Sequence, residues 1–147
     1  MRNITWVLVI AVSLLLVPGR GATDDAVTVT TTQQAYVPGD PVSIAVENNT
    51  GKPIFLPGCH PFEVEEFKED TYLRVQREPC RWEGIALKLE PGHHDFTFQT
   101  TEEDADRIFR IAIAYGWECN ESTALSRAGC KEFASAVSAS FRVSGKK

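Results

Sequence analysis

The chain has 147 residues, 43% of them hydrophobic, and a formal net charge of −5. That acidic balance, with no basic stripe along the chain, argues against nucleic acid and anionic membrane surfaces, both of which attract clustered Lys and Arg. The length suits one domain able to bury a real core, and no internal repeat, low-complexity segment or linker divides it.

The first segment has the three-part layout of a secretory signal peptide: MRN, then the uncharged run ITWVLVIAVSLLLV, then PGRGA. Small residues at the −3 and −1 positions, Gly19 and Gly21, place cleavage after Gly21, with Ala22 a close alternative. The run is shorter than the roughly 20 apolar residues of a membrane span, and no cysteine follows it to carry a lipid anchor. Residues 1–21 are therefore read as a signal peptide and 22–147 as one exported domain, periplasmic or extracellular. Cleavage removes Arg2 and Arg20, taking the formal charge from −5 to −7 and leaving 126 residues.

The remainder alternates with a period of two, the pattern of strands with one buried and one wetted face. VTVTTT (27–32) leads into the turn YVPGD (36–40). PVSIAVEN (41–48) then sets Val42, Ile44 and Val46 on one face, and NTGK turns into the short buried strand PIFLP (53–57). FEVEEF (62–67) and TYLRVQ (71–76) alternate about a charged turn at Lys68-Glu69-Asp70. IALKLE (85–90) points Ile85, Leu87 and Leu89 one way, PGHH turns, and DFTFQT (95–100) carries Phe96 and Phe98 on one face. After an acidic connection at 101–106, IFRIAIAY (108–115) aligns Phe109, Ile111, Ile113 and Tyr115. FASAVSASFRV (133–143) aligns Phe133, Val137, Ala139, Phe141 and Val143, and the only helical candidate lies in STALSRAGCKEFA before it. Eight to ten strands with turn signals every eight to twelve residues predict an all-β, antiparallel β-sandwich.

Four cysteines follow the leader: Cys59, Cys80, Cys119 and Cys130. An even number in an oxidising compartment favours disulfides. Of three possible pairings, Cys59–Cys80 with Cys119–Cys130 is preferred, because each pair brackets one loop or hairpin. The first bond closes about 20 residues and is worth about 3 kcal/mol in the chain-entropy picture. Cys59 beside His60 also raises a reactive or metal site. A catalytic thiol needs a base and a lowered pKa. Zinc sites favour CxxC pairs, which this chain lacks. A metal site built in space from His60, His93 and His94 is the remaining alternative. His93 and His94 read as polar turn residues, and the acidic groups 63–66 and 101–106 as solvated faces without a calcium-loop spacing. No GxSxG, SxxK or glycine-rich phosphate loop is present. Asn48 and Asn120 head glycosylation sequons. Tyr115 reads as core, whereas Trp82 and Trp117, each two residues from a cysteine, read as disulfide packing or as contact surface, with His60 on the rim.

In order, AYVPGDPVSIAVENNTGKPIFL, LKLEPG and RIFRIAIAY resemble the immunoglobulin-like domains of exported bacterial proteins. Tyr36, Pro38, Gly39, Asp40, Val42, Asn48, Asn49, Pro91 and Gly92 stand at that family's turn and core positions. Phe109-Arg110-Ile111 takes the place of its Tyr-Arg-Ile/Val strand, with Phe for Tyr. The resemblance spans about Val27 to Val143 and implies an immunoglobulin-like sandwich while leaving activity open. The layout is also similar to bacterial proteinase-inhibitor domains of the same fold, whose tryptophan- and aspartate-rich segments are not recognisable here. The expectation is a non-enzymatic, monomeric module without cofactor, acting through loops or sheet edges on an unidentified envelope protein. A proteinase inhibitor presenting a stapled loop, 60–79 or 120–129, and a small metal-binding protein are the alternatives.

Overall fold

The computed structural model describes residues 26–75 and 84–145. Among them, eleven strands run in chain order: β1 (Val27–Thr31), β2 (Ala35–Tyr36), β3 (Pro41–Asn48), β4 (Ile54–Leu56), β5 (Glu63–Lys68), β6 (Thr71–Arg74), β7 (Leu87–Leu89), β8 (Gly92–Gln99), β9 (Arg107–Trp117), β10 (Glu132–Val137) and β11 (Phe141–Val143). Two short 3-10 turns, Glu102–Asp104 and Leu125–Arg127, flank β9. The second lies in the segment expected to hold a helical turn.

The strands form two sheets. The smaller is β1-β3-β8, antiparallel throughout. The larger is built on β9, whose eleven residues pair along one edge with β10 and β11 and along the other with β4 and β5. Strands β6 and β7 continue the β5 and β4 side, and β2 runs parallel to β11. Alternation explains the shared core. Val42, Ile44 and Val46 of β3 are sealed in one cluster with Phe109, Ile111, Ile113 and Tyr115 of β9. Phe141 and Val143 close that cluster from β11, with Tyr36 edge-on to Phe141 at 5.4 Å. Burial of so many whole aliphatic side chains, each worth about 1.5–3 kcal/mol, dominates the fold's stability.

Three readings are corrected by the register. First, FASAVSASFRV is two strands. Going from Val137↔Ala112 to Phe141↔Phe109 advances four residues on one chain and three on the other. One extra residue is thus inserted at 138–140, a β-bulge that swaps the faces of the strand. Phe141 and Val143 point inward as expected, but Phe133 and Val137 point out and are 60% and 48% exposed. The bulge is held by Ser138: its N–H donates to Ile111 O at 2.8 Å, and its Oγ accepts from Ile111 N–H at 2.9 Å. Ser138→Ala is expected to strand a buried N–H and cost about 1–3 kcal/mol, measurable by urea unfolding.

Second, His93 and His94 belong to β8 and not to a turn, because pairing with β3 runs without interruption from Pro41↔Gln99 to Asn48↔Gly92. Third, of Ile85, Leu87 and Leu89, expected on one inward face, only Leu89 is buried, and Ala86 on the opposite face is buried instead of wetted. Leu87 lies at the margin beside β4, and Ile85 precedes the strand and is exposed. Cys80 and Trp82 lie outside the described residues, and with them the expected Cys59–Cys80 bridge.

Candidate functional site

The loop that carries Cys59 and His60 is an excursion from an otherwise continuous edge. Phe55 faces Gly116 and Glu63 faces Ala112, so eight steps along β4–β5 span only four along β9. The surplus leaves the ladder between them. Its end tucks back through Phe62, whose ring meets Phe96 of β8 at 6.0 Å. At Gly58 the backbone lies so close to the 84–86 segment that a Cβ would stand 1.9 Å from Ile85 O. Cys59 is exposed beside Gly84, at the near end of the segment that leads back towards Cys80.

The loop between β9 and β10 is closed by the Cys119–Cys130 disulfide, with an S–S length of 2.05 Å. Instead of standing free, it folds over the outer face of the larger sheet. Leu125 packs with Phe55 and Ala86 against the two cysteines, forming a second small core. Ala86 N–H donates to Thr123 O at 2.9 Å, and Lys88 pairs with Glu121 at 2.7 Å. The disulfide sits over Gly116, where a Cβ would lie 2.7 Å from Cys130 Sγ. Three irregular segments, 57–62, 84–86 and 118–131, therefore share one end of the outer face.

Beyond that lid the face is apolar and uncovered by the described residues. Phe133, Ser135 and Val137 of β10 share it with Gly116, Ala114 and Ala112 of β9, their register partners. The alanines leave a shallow floor beside two exposed large side chains. Its far rim is charged: Arg110 pairs with Glu65 at 2.6 Å and Arg74 with Glu63 at 2.8 Å. The Arg110 guanidinium also lies 3.9 Å from the centroid of the Tyr72 ring, and Tyr72 hydrogen-bonds Ser140. Such a patch, apolar within a polar rim, is the composition of a contact surface. Sequence reasoning missed Phe133 and Val137 because their alternation continues unbroken into Phe141 and Val143.

Trp117 does not pack on the disulfide. It stands edge-on to Tyr115 at 5.0 Å, half-buried at the end of the main core. There it lines a cleft of about 420 Å³ with Lys52, Glu118 and Lys131. Glu118 adopts φ +50° and is held between Lys52 at 3.2 Å and Lys131 at 3.3 Å. Hydrogen bonds from Lys52 and then Lys131 hold its carboxyl below the usual carboxylate range.

The three histidines are not gathered. His94 Nε2–H donates to Glu90 O at 2.7 Å. His93 stands between two carboxylates, Glu47 on Nδ1 and Asp95 on Nε2. His60 is half-buried in the 57–62 loop. Among the described residues no three His, Cys, Asp or Glu side chains are grouped to hold a metal ion. The hydrogen bond to Glu47, then that to Asp95, raises the His93 pKa above its ordinary 6.5. A raised folded-state pKa stabilises below the unfolded value, and the gain is lost as pH rises through the folded one. Thermal melts are thus expected to show a stabilising contribution on the acid side of neutrality that fades at alkaline pH. His93→Gln is expected to flatten that component.

Of the two sequons, Asn48 is 1% exposed with its amide nitrogen committed, whereas Asn120 is exposed. Among the described residues no helix is long and apolar enough to cross a membrane. No protein-family model matches the chain, and no curated protein matches it.

Proposed function

We propose that this chain is an exported, non-enzymatic immunoglobulin-like domain that binds an envelope protein through the outer face of its larger sheet. The observation that carries the binding role is the exposure of Phe133 and Val137 over Ala112 and Ala114, beside a lid already stapled by a disulfide. A rigid sheet presenting apolar anchors loses little entropy when it docks. The immunoglobulin-like reading is supported by the strand order. The sheet β1-β3-β8 packs on a sheet ordered β2-β11-β9-β4-β7, and β2 pairs parallel with the last strand. Among the described residues the inter-sheet disulfide of antibody domains has no counterpart, and β3 and β9 meet through apolar side chains.

Residues 1–21 supply export and leave Ala22 as the first residue. Cys59, beside Gly84, bridges to Cys80, so that both long loops at that end of the outer face are stapled. Mass spectrometry with and without reductant reads this directly: four free thiols in the exported protein would remove the stapling. Burial of Ala124, Leu125 and Ala128 favours a binding face over a protease-directed loop at 120–129, which would have to offer those side chains outward.

The test is affinity capture from an envelope fraction. Ala114 is an exposed residue of central strand β9, and Ala114→Arg adds a charge to the floor without touching the core. Wild type is expected to retain one partner that the variant loses, with unchanged melting temperature. Equal capture by both, or inhibition of a protease that reduction abolishes, would overturn the reading.

A further inference from the structure

We propose that β10 is a self-pairing edge, through which two copies join their larger sheets across a two-fold axis at Ser135. Along β9 the strand is fully paired, but among the described residues nothing pairs its other edge. The open stretch is bounded. Past the bulge, β2 occupies the corresponding edge of β11, and at the other end the disulfide closes the hairpin. What remains is a slot the length of one six-residue strand, EFASAV.

The hydrogen-bond parity of that slot follows from Ser138, whose N–H donates to Ile111 O directly opposite. Alternate residues of an antiparallel strand bond to alternate sides. Ala136, Ala134 and Glu132 therefore bond inward to β9, and Phe133, Ser135 and Val137 direct their N–H and C=O groups to the open edge. A second β10, antiparallel and centred on Ser135, satisfies all three. Ser135 meets Ser135 of the second copy, and each Phe133 meets the other copy's Val137, so each of these pairs exchanges both main-chain bonds. The same register sets the exposed phenylalanine beside the exposed valine on one face, a favourable cross-strand pair. Shifting it by two residues would leave one such side chain without its partner.

Charge is compatible with self-pairing despite the acidity of the chain. From 132 to 140 the only ionisable side chain is Glu132, and the two-fold sets it opposite uncharged Ser138 of the second copy. Natural edges of this kind are normally guarded by Lys, Pro or inward charges; β10 has neither Lys nor Pro, and its one charge on the core-facing side, Glu132, stands at its first residue. The four apolar side chains would bury about 400 Å² in all, below the roughly 1,200 Å² of stable complexes. The dimer is accordingly weak, with a Kd on the order of 100 μM, in place of the monomer expected from the sequence.

Sedimentation equilibrium of the purified protein should show a monomer when dilute and a dimer when concentrated. Ser135→Pro removes only the edge-facing N–H, and Val137→Lys adds a charge to an exposed position. Each is expected to weaken association at least tenfold with the β9 ladder intact. Hydrogen exchange should find the amides of Phe133, Ser135 and Val137 protected only at high concentration, and those of Ala134 and Ala136 at both. A monomer at every concentration would overturn the dimer and leave the proposed function standing. Association with those three amides still unprotected would also overturn it, by assigning the contact to another surface.

Discussion

Replacing Gly116 with alanine is expected to cost about 2 kcal/mol in the native protein, and less than half of that once the Cys119–Cys130 bridge has been removed and only the Cβ at 130 remains close. Gly116 is buried on β9, opposite Phe133 on one side and Phe55 on the other, where the disulfide crosses the sheet. A Cβ there would stand 2.7 Å from Cys130 Sγ and 3.0 Å from Cys119 Sγ and from Cys130 Cβ. A disulfide cannot swing aside like the end of a long side chain, so strand or bridge must shift. Urea unfolding of Gly116→Ala, of Cys119→Ala/Cys130→Ala and of the triple variant completes the cycle. The bridge closes a separation of 11 residues, and losing it costs about 3 kcal/mol on chain entropy alone. A Gly116→Ala penalty equal in both backgrounds would show that something other than the sulfurs claims the space.

Asn48→Ala is expected to lower stability by about 3 kcal/mol, which for a domain of this size is a fall of about 10 °C in Tm. The side chain is 1% exposed where β3 ends. Its Nδ2 donates to Lys52 O at 2.8 Å and to Leu89 O at 3.2 Å. Its Oδ1 accepts from Thr50 N–H at 3.1 Å and from Thr50 Oγ1 at 2.7 Å. One amide thereby shapes the turn from β3 to β4 and ties it to the end of β7. Truncation would leave the buried Leu89 carbonyl without this donor. Asn48→Asp is the sharper probe. It keeps the acceptor but turns a second oxygen towards two carbonyls, so it is expected to do no better than alanine. Calorimetry of both variants decides the matter, and an aspartate that melts like wild type would contradict this account.

Asn48 also shows what was legible in advance. As a motif residue it carried a sequon and a resemblance, and its meaning, one amide nitrogen donating twice and one doubly used acceptor, required the return of Leu89 from 41 residues away. Strands β3 and β9 could be read directly, because strict alternation of Val42, Ile44 and Val46, or of Phe109, Ile111 and Ile113, has one simple explanation. Phe133 and Val137 were placed on the wrong face for the same reason. Alternation reports parity, and a single inserted residue at 138–140 reverses parity without disturbing the pattern of letters. The lid over Phe55 and Gly116 was illegible on different grounds. Leu125, Ala86 and the disulfide converge there from three separated segments, and no local periodicity reports such a convergence. His93 and His94 were mistaken for turn residues because Pro-Gly precedes them, although Gly92 itself already pairs with Asn48.

The position of β9 in the larger sheet has a kinetic consequence. Four strands, β4, β5, β10 and β11, pair with β9, and its Phe109, Ile111, Ile113 and Tyr115 lie at the centre of the main core. Yet β9 begins only at Arg107, after most of the chain has been synthesised. A nascent chain that ends before it can pair β1, β3 and β8 but has nothing to bury them against. Folding is thus deferred until near-completion and is dominated by contacts distant in sequence, the condition for slow folding. Under the export proposed above, that delay would keep the chain able to be threaded through a membrane.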